Sequence, residues 1–276
     1  MIDARIVADS SANMAVGGGA VISVPLKIIT DQKEYVDDAN LNTTAMVWDL
    51  QAYTGKSSTA CPSPQDWLEA FGDAPYVFCI AITSNLSGSC NAATIAKADY
   101  EANFPDRKVC VIDSLSTGGE MELIAEKIQE LIAAELSFEQ ICQQIKEYQQ
   151  STGLMFMLES MQNLANNGRV NKIVAKAAGI LGIRAVGKAS DVGTLEPLEK
   201  SRGEKKALAS IQRIMMELGY EGGKIRISHC LNEAAAITLR QNFLEIFPQA
   251  DIQIRPTGGL CSFYAEKGGM IIGFEK

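Results

Sequence analysis

Short apolar runs recur in the first half of the sequence, and each run ends in a turn that carries hydroxyl side chains. The runs are Ile6–Ala8, Tyr76–Ile82 and Lys108–Ile112, and Ser or Thr side chains follow each of them. A strand that is apolar on both faces is buried on both faces, as in a parallel sheet covered by helices. The pattern predicts an α/β fold with a parallel sheet in the N-terminal part.

Helical segments separate these strands. Ser63 followed by a proline is typical of a helix start, and a capping box predicts another start at Ser137. Apolar residues near a 3.6-residue spacing predict a helix over Gly119–Glu135. Val21–Ile29 is rich in β-branched residues and contains Pro25, so we expect a single edge or bulged strand there.

The pattern changes near residue 150. The strands expected beyond it are Leu154–Leu158, Ile183–Val186, Lys224–Ser228, Asp251–Arg255 and Met270–Phe274. The helices expected there are Glu159–Asn167, Asn171–Leu181, Arg202–Leu218 and Asn232–Phe247. We therefore expect two domains: an N-terminal α/β domain over residues 1–150 and a C-terminal α+β domain, with a mostly antiparallel sheet, over residues 151–276.

The charge balance argues against two classes of partner. Apolar residues make up 47% of the chain, so a sizeable core can form. The 25 basic residues are outnumbered by 33 acidic ones, which gives a net charge of −8. An acidic chain without a run of Lys or Arg is a poor partner for nucleic acid or for an anionic membrane surface.

No export or membrane signal is recognisable in the sequence. The first residues show no charged stretch followed by a long apolar one, and no apolar run reaches about 18 residues. The seven cysteines are odd in number and include no Cys-x-x-Cys pair. We expect a cytoplasmic protein with reduced thiols, no metal or cofactor, and no stable membrane insertion.

Three turns that follow the predicted parallel strands are candidates for a binding site: Asp9–Ser11, Thr83–Ser89 and Asp113–Ser114. The carboxyl ends of parallel strands meet at one edge of the sheet, where ligands bind. Hydroxyl groups and backbone N–H groups at a helix start favour an anionic oxygen. Ser87-Gly88-Ser89 is the best candidate, because its glycine lets the backbone approach a ligand closely. Ordinary helix capping is the alternative interpretation of each turn.

Four further residues are singled out by their local sequence. Thr59 precedes a proline-rich segment that can hold its hydroxyl in a cleft, and Arg169 follows a predicted helix end, where surface ion pairing is the alternative. Tyr264 lies in a glycine-rich segment that suggests tight turns, and it is more typical of a packed aromatic side chain. A serine hydrolase would pair the single histidine, His229, with Ser87, but no Gly-x-Ser-x-Gly segment is present.

Several segments match a known family in their order and spacing. They include an Asp-Ser-Ser turn, a Leu-Ser-Gly-Ser stretch and an Arg-Gly pair, and they are Ile6–Ala12, Thr59–Pro64, Ile82–Ser89, Val111–Gly119, Leu164–Val170 and Arg202–Gly203. Together they resemble the DegV family of fatty-acid-binding proteins over nearly the whole chain.

The resemblance implies a ligand and its site. It implies two α/β domains with a long-chain fatty acid between them, its tail in an apolar tunnel. The hydroxyl groups of Thr59 and Ser87 would hold the carboxylate. Gly88, Ser89 and Tyr264 would belong to the same binding site.

The resemblance also implies a partner. Proteins of this family present the bound fatty acid to a separate fatty acid kinase, which forms acyl phosphate for phospholipid synthesis, and they catalyse nothing alone. Arg169 and Arg202 would contact that kinase.

Three departures from the family pattern concern the ligand site. Tyr264 stands where the family commonly has a histidine, Glu266 and Lys267 replace a glycine and a proline, and Ala60-Cys61 replaces a Ser-Gln pair. A tyrosine can donate a hydrogen bond, so carboxylate binding is compatible with the change. A carrier of another amphiphile or of a small phosphate ligand stays open as an alternative, as does the serine hydrolase.

Overall fold

A computed structural model describes residues 2–14, 21–171 and 182–276. The strands in these ranges are β1 Ala4–Asp9, β2 Val21–Val24, β3 Lys27–Thr30, β4 Glu34–Val36, β5 Ser57–Ala60, β6 Tyr76–Ala81, β7 Lys108–Asp113, β8 Thr152–Leu158, β9 Ile183–Ala189, β10 Leu195–Arg202, β11 Ile225–His229, β12 Ile252–Pro256 and β13 Met270–Glu275. The α-helices are α1 Thr43–Ala52, α2 Pro64–Phe71, α3 Ser89–Asn103, α4 Gly119–Ala133, α5 Phe138–Tyr148, α6 Gln162–Asn166, α7 Glu204–Glu217, α8 Glu233–Ile246 and α9 Gly259–Ala265. The helix expected over Asn171–Leu181 lies outside the described residues from residue 172 onward.

The predicted parallel sheet is confirmed. Strands β2, β1, β6 and β7 lie side by side in that order, and each neighbouring pair is parallel. Val7 lies beside Cys79 at its centre, and both side chains are fully buried. Helices α2 and α3 pack on one face, and α4 and α5 pack on the other. The predicted helix starts at Ser63 and Ser137 are also confirmed, and both form capping boxes.

The prediction of a single strand over Val21–Ile29 is wrong. Strands β2 and β3 are separate, and β3 is the centre of a small antiparallel sheet with the order β4-β3-β5. Pro25 has no N–H group to donate to a ladder, and the N–H of Leu26 donates to Ser10 Oγ at 3.0 Å. The chain therefore leaves the parallel sheet at the proline.

The C-terminal part contains the mostly antiparallel sheet that the sequence predicts. Its order is β10-β9-β8-β13-β11-β12, and only β11 and β12 are parallel neighbours. Helices α7 and α8 cover one face. The other face presents apolar side chains of β8 and β13 towards the small antiparallel sheet and α9. This face forms one wall of the cavity described below.

Helix α4 lies between the parallel sheet and the six-stranded sheet. Its first residue, Gly119, touches the backbone of the six-stranded sheet. A Cβ atom at this position would lie 2.2 Å from the carbonyl oxygen of Arg226 and 2.8 Å from the amide nitrogen of Gly273. The two parts of the chain thus pack directly on each other through α4. The division into domains over residues 1–150 and 151–276 stays a prediction.

Charged side chains, of which Arg226 and Glu122 are buried, connect α4 to β11 and β12. Arg226 donates two hydrogen bonds of 2.7 Å to Glu126 and one of 2.6 Å to Asp251. Glu122 accepts a hydrogen bond from Arg255, and only 1% of the Glu122 side chain is exposed. Burial raises the pKa of Glu122 to about 7, against the opposing effect of Arg255. This network fixes α4 on the C-terminal sheet.

Candidate functional site

A cavity of about 330 Å³ lies between the carboxyl edge of the parallel sheet and the six-stranded sheet. Apolar side chains from both parts of the chain line most of its wall: Leu26, Ile82, Leu86, Leu115, Leu154, Phe156, Leu158, Leu164, Ala189, Leu195, Leu260 and Ile271. A space with this lining suits a hydrocarbon chain and disfavours a ligand that is polar along its whole length.

Polar side chains gather at one part of the cavity wall. Thr59 Oγ1 and Tyr264 Oη share a hydrogen bond of 2.8 Å. The Arg169 guanidinium lies 5.9 Å from the centre of the Tyr264 ring. Burial raises the pKa of Tyr264, while Thr59 and Arg169 act in the opposite direction. The phenol is therefore neutral at physiological pH. One hydroxyl of the pair donates its single hydrogen to the other, so both can donate to an anionic oxygen only when their shared hydrogen bond is broken.

The helix that carries Tyr264 is anchored at its first turn. The Asp37 carboxylate accepts hydrogen bonds from the backbone N–H groups of Gly259 and Leu260, and Asn13 accepts one of 2.8 Å from Gly258. A Cβ atom at Gly259 would lie 2.6 Å from Leu41 Cδ2 and 2.8 Å from Asp37 Oδ1. Gly258 and Gly259 serve this close approach at the start of α9 and form no tight turn. Gly268-Gly269 does lie in a tight turn, as expected, because the N–H of Gly269 donates to the carbonyl oxygen of Glu266 at 3.1 Å.

The three residues Ser87, Gly88 and Ser89 differ in their position relative to the cavity. Ser87 and Gly88 line the cavity, but Ser89 does not. The Ser89 hydroxyl is fully buried and donates to Asp9 Oδ2 at 2.6 Å, because Ser89 begins α3 directly above the end of β1. This placement directs the Ser89 hydroxyl to Asp9 and not to the cavity. Contact of Ser87, Gly88 and Ser89 with the ligand stays a prediction.

Asp9 connects two of the turns that the sequence singled out. Its carboxylate also accepts hydrogen bonds from the N–H groups of Ile82, at 2.8 Å, and Ser11, at 3.2 Å. Burial raises the pKa of Asp9, and its hydrogen bonds act in the opposite direction. The turns do converge at one sheet edge. However, the Ser10 hydroxyl accepts a hydrogen bond from the N–H of Leu26, the Ser11 hydroxyl donates one to Asp9, and neither residue lines the cavity.

The two arginines predicted to contact a partner lie in different environments. Arg169 lines the cavity, and its Nε donates to the carbonyl oxygen of Leu86 at 3.2 Å. Arg202 is an exposed residue at the end of β10, and it does not line the cavity. Contact of Arg169 and Arg202 with a kinase stays a prediction.

The structure does not bring the histidine to Ser87. His229 ends β11, lies outside the cavity lining, and accepts a 3.3 Å hydrogen bond from the N–H of Asn232 through Nδ1. Burial lowers the pKa of His229. Ser87 Oγ accepts a 3.3 Å hydrogen bond from the N–H of Ser89. The geometry gives no support to a serine hydrolase built from Ser87 and His229.

Comparisons with known proteins agree with the fold and the cavity. A family model described as "Uncharacterised protein, DegV family" matches residues 3–276. The chain belongs to the DegV family. A DegV domain-containing protein of Streptococcus pneumoniae is 46% identical over 254 residues, which cover 92% of this chain and 90% of that protein.

Two solved DegV structures are similar over their whole length. The Streptococcus pneumoniae Fatty Acid Kinase (Fak) B3 protein, loaded with linoleic acid, is 44% identical, with a TM-score of 0.97, and the match covers 100% of this chain and 99% of that one. A DegV family protein from Eubacterium eligens, loaded with heptadecanoic acid, is 44% identical, with a TM-score of 0.96 and 99% coverage of both chains.

Sequence reasoning missed one part of this DegV cavity. The tip of the β9–β10 hairpin closes its edge: Asn85 Nδ2 donates to the carbonyl oxygen of Val192 at 2.6 Å, and Gly193 lines the cavity. A Cβ atom at Gly193 would lie 2.2 Å from Thr83 Oγ1 and 2.8 Å from the carbonyl oxygen of Leu115. The Asp-Val-Gly sequence at 191–193 is a turn signal that could have located this hairpin.

The side chains and helices that the structure describes bear on metal binding and on membrane insertion. In residues 2–14, 21–171 and 182–276, no group of three or more His, Cys, Asp or Glu side chains is placed to hold a metal ion. In the same ranges, no helix has the length and apolar character needed to cross a bilayer.

Proposed function

We propose that this DegV protein binds one long-chain fatty acid in the cavity. The carboxylate accepts hydrogen bonds from Thr59, Tyr264 and Ser87, with Gly88 providing room, and the tail follows the apolar wall. The observation that carries this proposal is the placement of the hydrogen-bonded Thr59–Tyr264 pair on an otherwise largely apolar cavity. The fatty acids in the two similar solved structures support the same ligand class.

The apolar lining of the cavity favours a ligand with a long hydrocarbon tail. Each buried methylene contributes about 0.8 kcal/mol, so a chain of sixteen or eighteen carbons gains most of its affinity from the apolar wall. The hydroxyl groups add less energy but fix which end of the ligand lies beside Tyr264. Arg169 supplies a positive charge near the same end.

The proposed role is that of a carrier without catalytic activity of its own. The protein presents the carboxylate to a fatty acid kinase, and the acyl phosphate then enters phospholipid synthesis. The name of the similar Streptococcus pneumoniae protein supports a link to such a kinase. Arg169 at the cavity and Arg202 on the surface are the proposed kinase contacts. The proposed location is the cytoplasm, where the seven free cysteines would stay reduced.

Native mass spectrometry of the purified full chain, followed by solvent extraction, tests the ligand. We expect a mass increment equal to one long-chain fatty acid, and the same acid in the extract. An empty protein that also takes up no added oleic or linoleic acid would refute the proposal. An extract that contains another amphiphile or a phosphate-bearing metabolite would favour the alternative ligand classes.

A second experiment tests the partner. The loaded protein is mixed with a purified bacterial fatty acid kinase and ATP, and acyl phosphate is trapped with hydroxylamine. We expect product only when both proteins are present, and less product with Arg202→Ala at unchanged fatty-acid affinity. Equal product from Arg202→Ala and the unchanged chain would contradict the role of Arg202.

A further inference from the structure

The buried carboxylate of Asp37 lies between the two elements that carry the Thr59–Tyr264 pair. Asp37 directly follows β4, in the small antiparallel sheet whose strand β5 carries Thr59. Its side chain accepts hydrogen bonds from the backbone N–H groups of Gly259, and of Leu260 at 2.9 Å, in the first turn of α9. Only 4% of Asp37 is exposed. The residue therefore joins this sheet directly to the helix that carries Tyr264.

The main chain of Asp37 is fixed as well. Its N–H group donates to the carbonyl oxygen of Leu26 at 2.9 Å, and Leu26 lines the cavity. In the small sheet, Ile28 is the register partner of both Tyr35 and Thr59. Asp37 is two residues beyond Tyr35, so it lies close to the row of the sheet that contains Thr59. A displacement of Asp37 relative to α9 is therefore a displacement of this row relative to α9.

Helix α9 is short, so its first turn decides where Tyr264 lies. Tyr264 is four residues beyond Leu260, about one helical turn along Gly259–Ala265. Successive turns move together because backbone hydrogen bonds connect them. An O–H···O hydrogen bond forms over a donor–acceptor distance of about 2.5–3.0 Å, so a shift of about 1 Å at the first turn is enough to break a contact of the Tyr264 hydroxyl.

We propose that Asp37 is a positioning residue for the ligand carboxylate and that it acts through Tyr264. Asp37 sets the distance between the Thr59 and Tyr264 hydroxyl groups, so that one carboxylate can accept a hydrogen bond from each. This inference rests on the proposed fatty-acid function. The competing interpretation is that Asp37 only caps α9 and stabilises the fold. The two interpretations differ in whether the effect of Asp37 on affinity requires the Tyr264 hydroxyl.

A double-mutant cycle on the full chain separates the two interpretations. Asp37→Asn keeps the size of the side chain but replaces one acceptor oxygen by an NH₂ group, which cannot accept from a backbone N–H. Titration calorimetry with oleate measures the affinity of the unchanged chain, of Asp37→Asn, of Tyr264→Phe and of the double variant. We expect Asp37→Asn to lower the affinity roughly fivefold in the unchanged chain and less than about twofold beside Tyr264→Phe, because both changes remove the same hydrogen bond.

The cycle has three other outcomes, and each decides against a proposal. An equal loss of affinity in both backgrounds, or no loss in either, would overturn the positioning role of Asp37. The unchanged chain failing to bind oleate at all would refute the proposed function, and the positioning role with it. Because both interpretations predict a lower melting temperature for Asp37→Asn, the titrations are run below the melting temperature of every variant.

Asp38→Asn is the matched control. It removes the carboxylate of the next residue, which accepts a 2.8 Å hydrogen bond from the N–H of Asn40 within the same turn. We expect unchanged oleate affinity. A loss equal to that of Asp37→Asn would show that negative charge in this turn, and not the contact with α9, sets the affinity, and would refute the proposal.

Asp37→Glu takes the place of Asp37→Asn in the same cycle if the latter does not fold. This variant keeps both acceptor oxygens but places them one methylene further from the main chain, which displaces the start of α9. Its loss of affinity should likewise disappear beside Tyr264→Phe. Persistence of that loss in the double variant would contradict the action of Asp37 through Tyr264.

Discussion

Thr59 and Tyr264 are 205 residues apart in the sequence, yet their side-chain oxygens lie 2.8 Å apart on the cavity wall. Thr59 belongs to the small antiparallel sheet, and Tyr264 belongs to α9, which Asp37 anchors at its first turn. Both hydroxyl groups are therefore held by ordered elements. A carboxylate that replaces their shared hydrogen bond can accept a hydrogen bond from each.

Removal of the phenol oxygen should weaken ligand binding without disturbing the fold. For Tyr264→Phe we expect a roughly tenfold loss of affinity for a long-chain fatty acid, since one hydrogen bond to a charged group contributes about 1.5–3 kcal/mol and part of this is regained from water. Titration calorimetry with oleate measures the change. Tyr53→Phe, which alters an exposed phenol beside Asp31, is the control. Equal affinities in the two variants would exclude Tyr264 from the site.

Ser87→Ala and Ser89→Ala should separate binding from stability. Ser87 lines the cavity, so its loss should weaken fatty-acid binding by a few-fold and leave the melting temperature unchanged. Ser89 donates to the buried Asp9, so its loss should lower the free energy of unfolding by about 1–3 kcal/mol. Thermal melts and titrations on both variants check this. The reverse pattern would place the ligand at Ser89.

The sequence carries strong signals for the sheets and weaker ones for the contacts within the site. Continuous apolar runs predict β1, β6 and β7, because a strand that is buried on both faces is apolar at nearly every position. The sequence predicts one strand across Pro25, whereas the structure has two, because the missing N–H group of the proline ends the ladder there. The direction of Ser89 depends on Asp9 from another strand, and no local pattern encodes that contact. The Thr59–Tyr264 contact likewise requires the tertiary fold.

The family resemblance supplied what local patterns could not. It predicts that Thr59, Ser87 and Tyr264 belong to one site, and in the structure all three line the same cavity. Local sequence alone favoured a packed aromatic side chain at Tyr264. The β9–β10 hairpin that closes the cavity was missed, because its contacts with Thr83 and Leu115 cross between the two parts of the chain.

Glu122 should make stability depend on pH. Burial raises the pKa of Glu122 from 4.5 to about 7 in the folded protein, so the folded state keeps this proton while the unfolded chain releases it. The contribution of Glu122 is therefore present below about pH 4.5 and is lost as pH rises towards 7. Glu122→Gln removes this dependence. We expect the unfolding free energy of the variant, relative to the unchanged chain, to increase by roughly 1–3 kcal/mol from pH 5 to pH 8 in urea titrations.

The difference in unfolding free energy between the two proteins isolates the effect of Glu122. Glu126, Asp251, Arg226 and Arg255 face Glu122 and are common to both proteins, so their own titration largely cancels in the difference. A difference in unfolding free energy that stays constant between pH 5 and pH 8 would mean that Glu122 is already ionised in the folded state.

Gly193→Ala should speed the release of the fatty acid. A Cβ atom there would lie 2.2 Å from Thr83 Oγ1 and 2.8 Å from the carbonyl oxygen of Leu115, so the hairpin tip must move away from the cavity edge. Gly203→Ala is the control: Gly203 has a φ of +82° against +75° for Gly193, but no atom of the described residues lies within 4 Å of its added Cβ. Both variants thus place a side chain at a positive φ, and only Gly193→Ala disturbs the hairpin contact. Stopped-flow transfer of a fluorescent fatty acid to vesicles should show a several-fold faster release from Gly193→Ala alone, whereas equal rates in the two variants would show that the hairpin does not limit release.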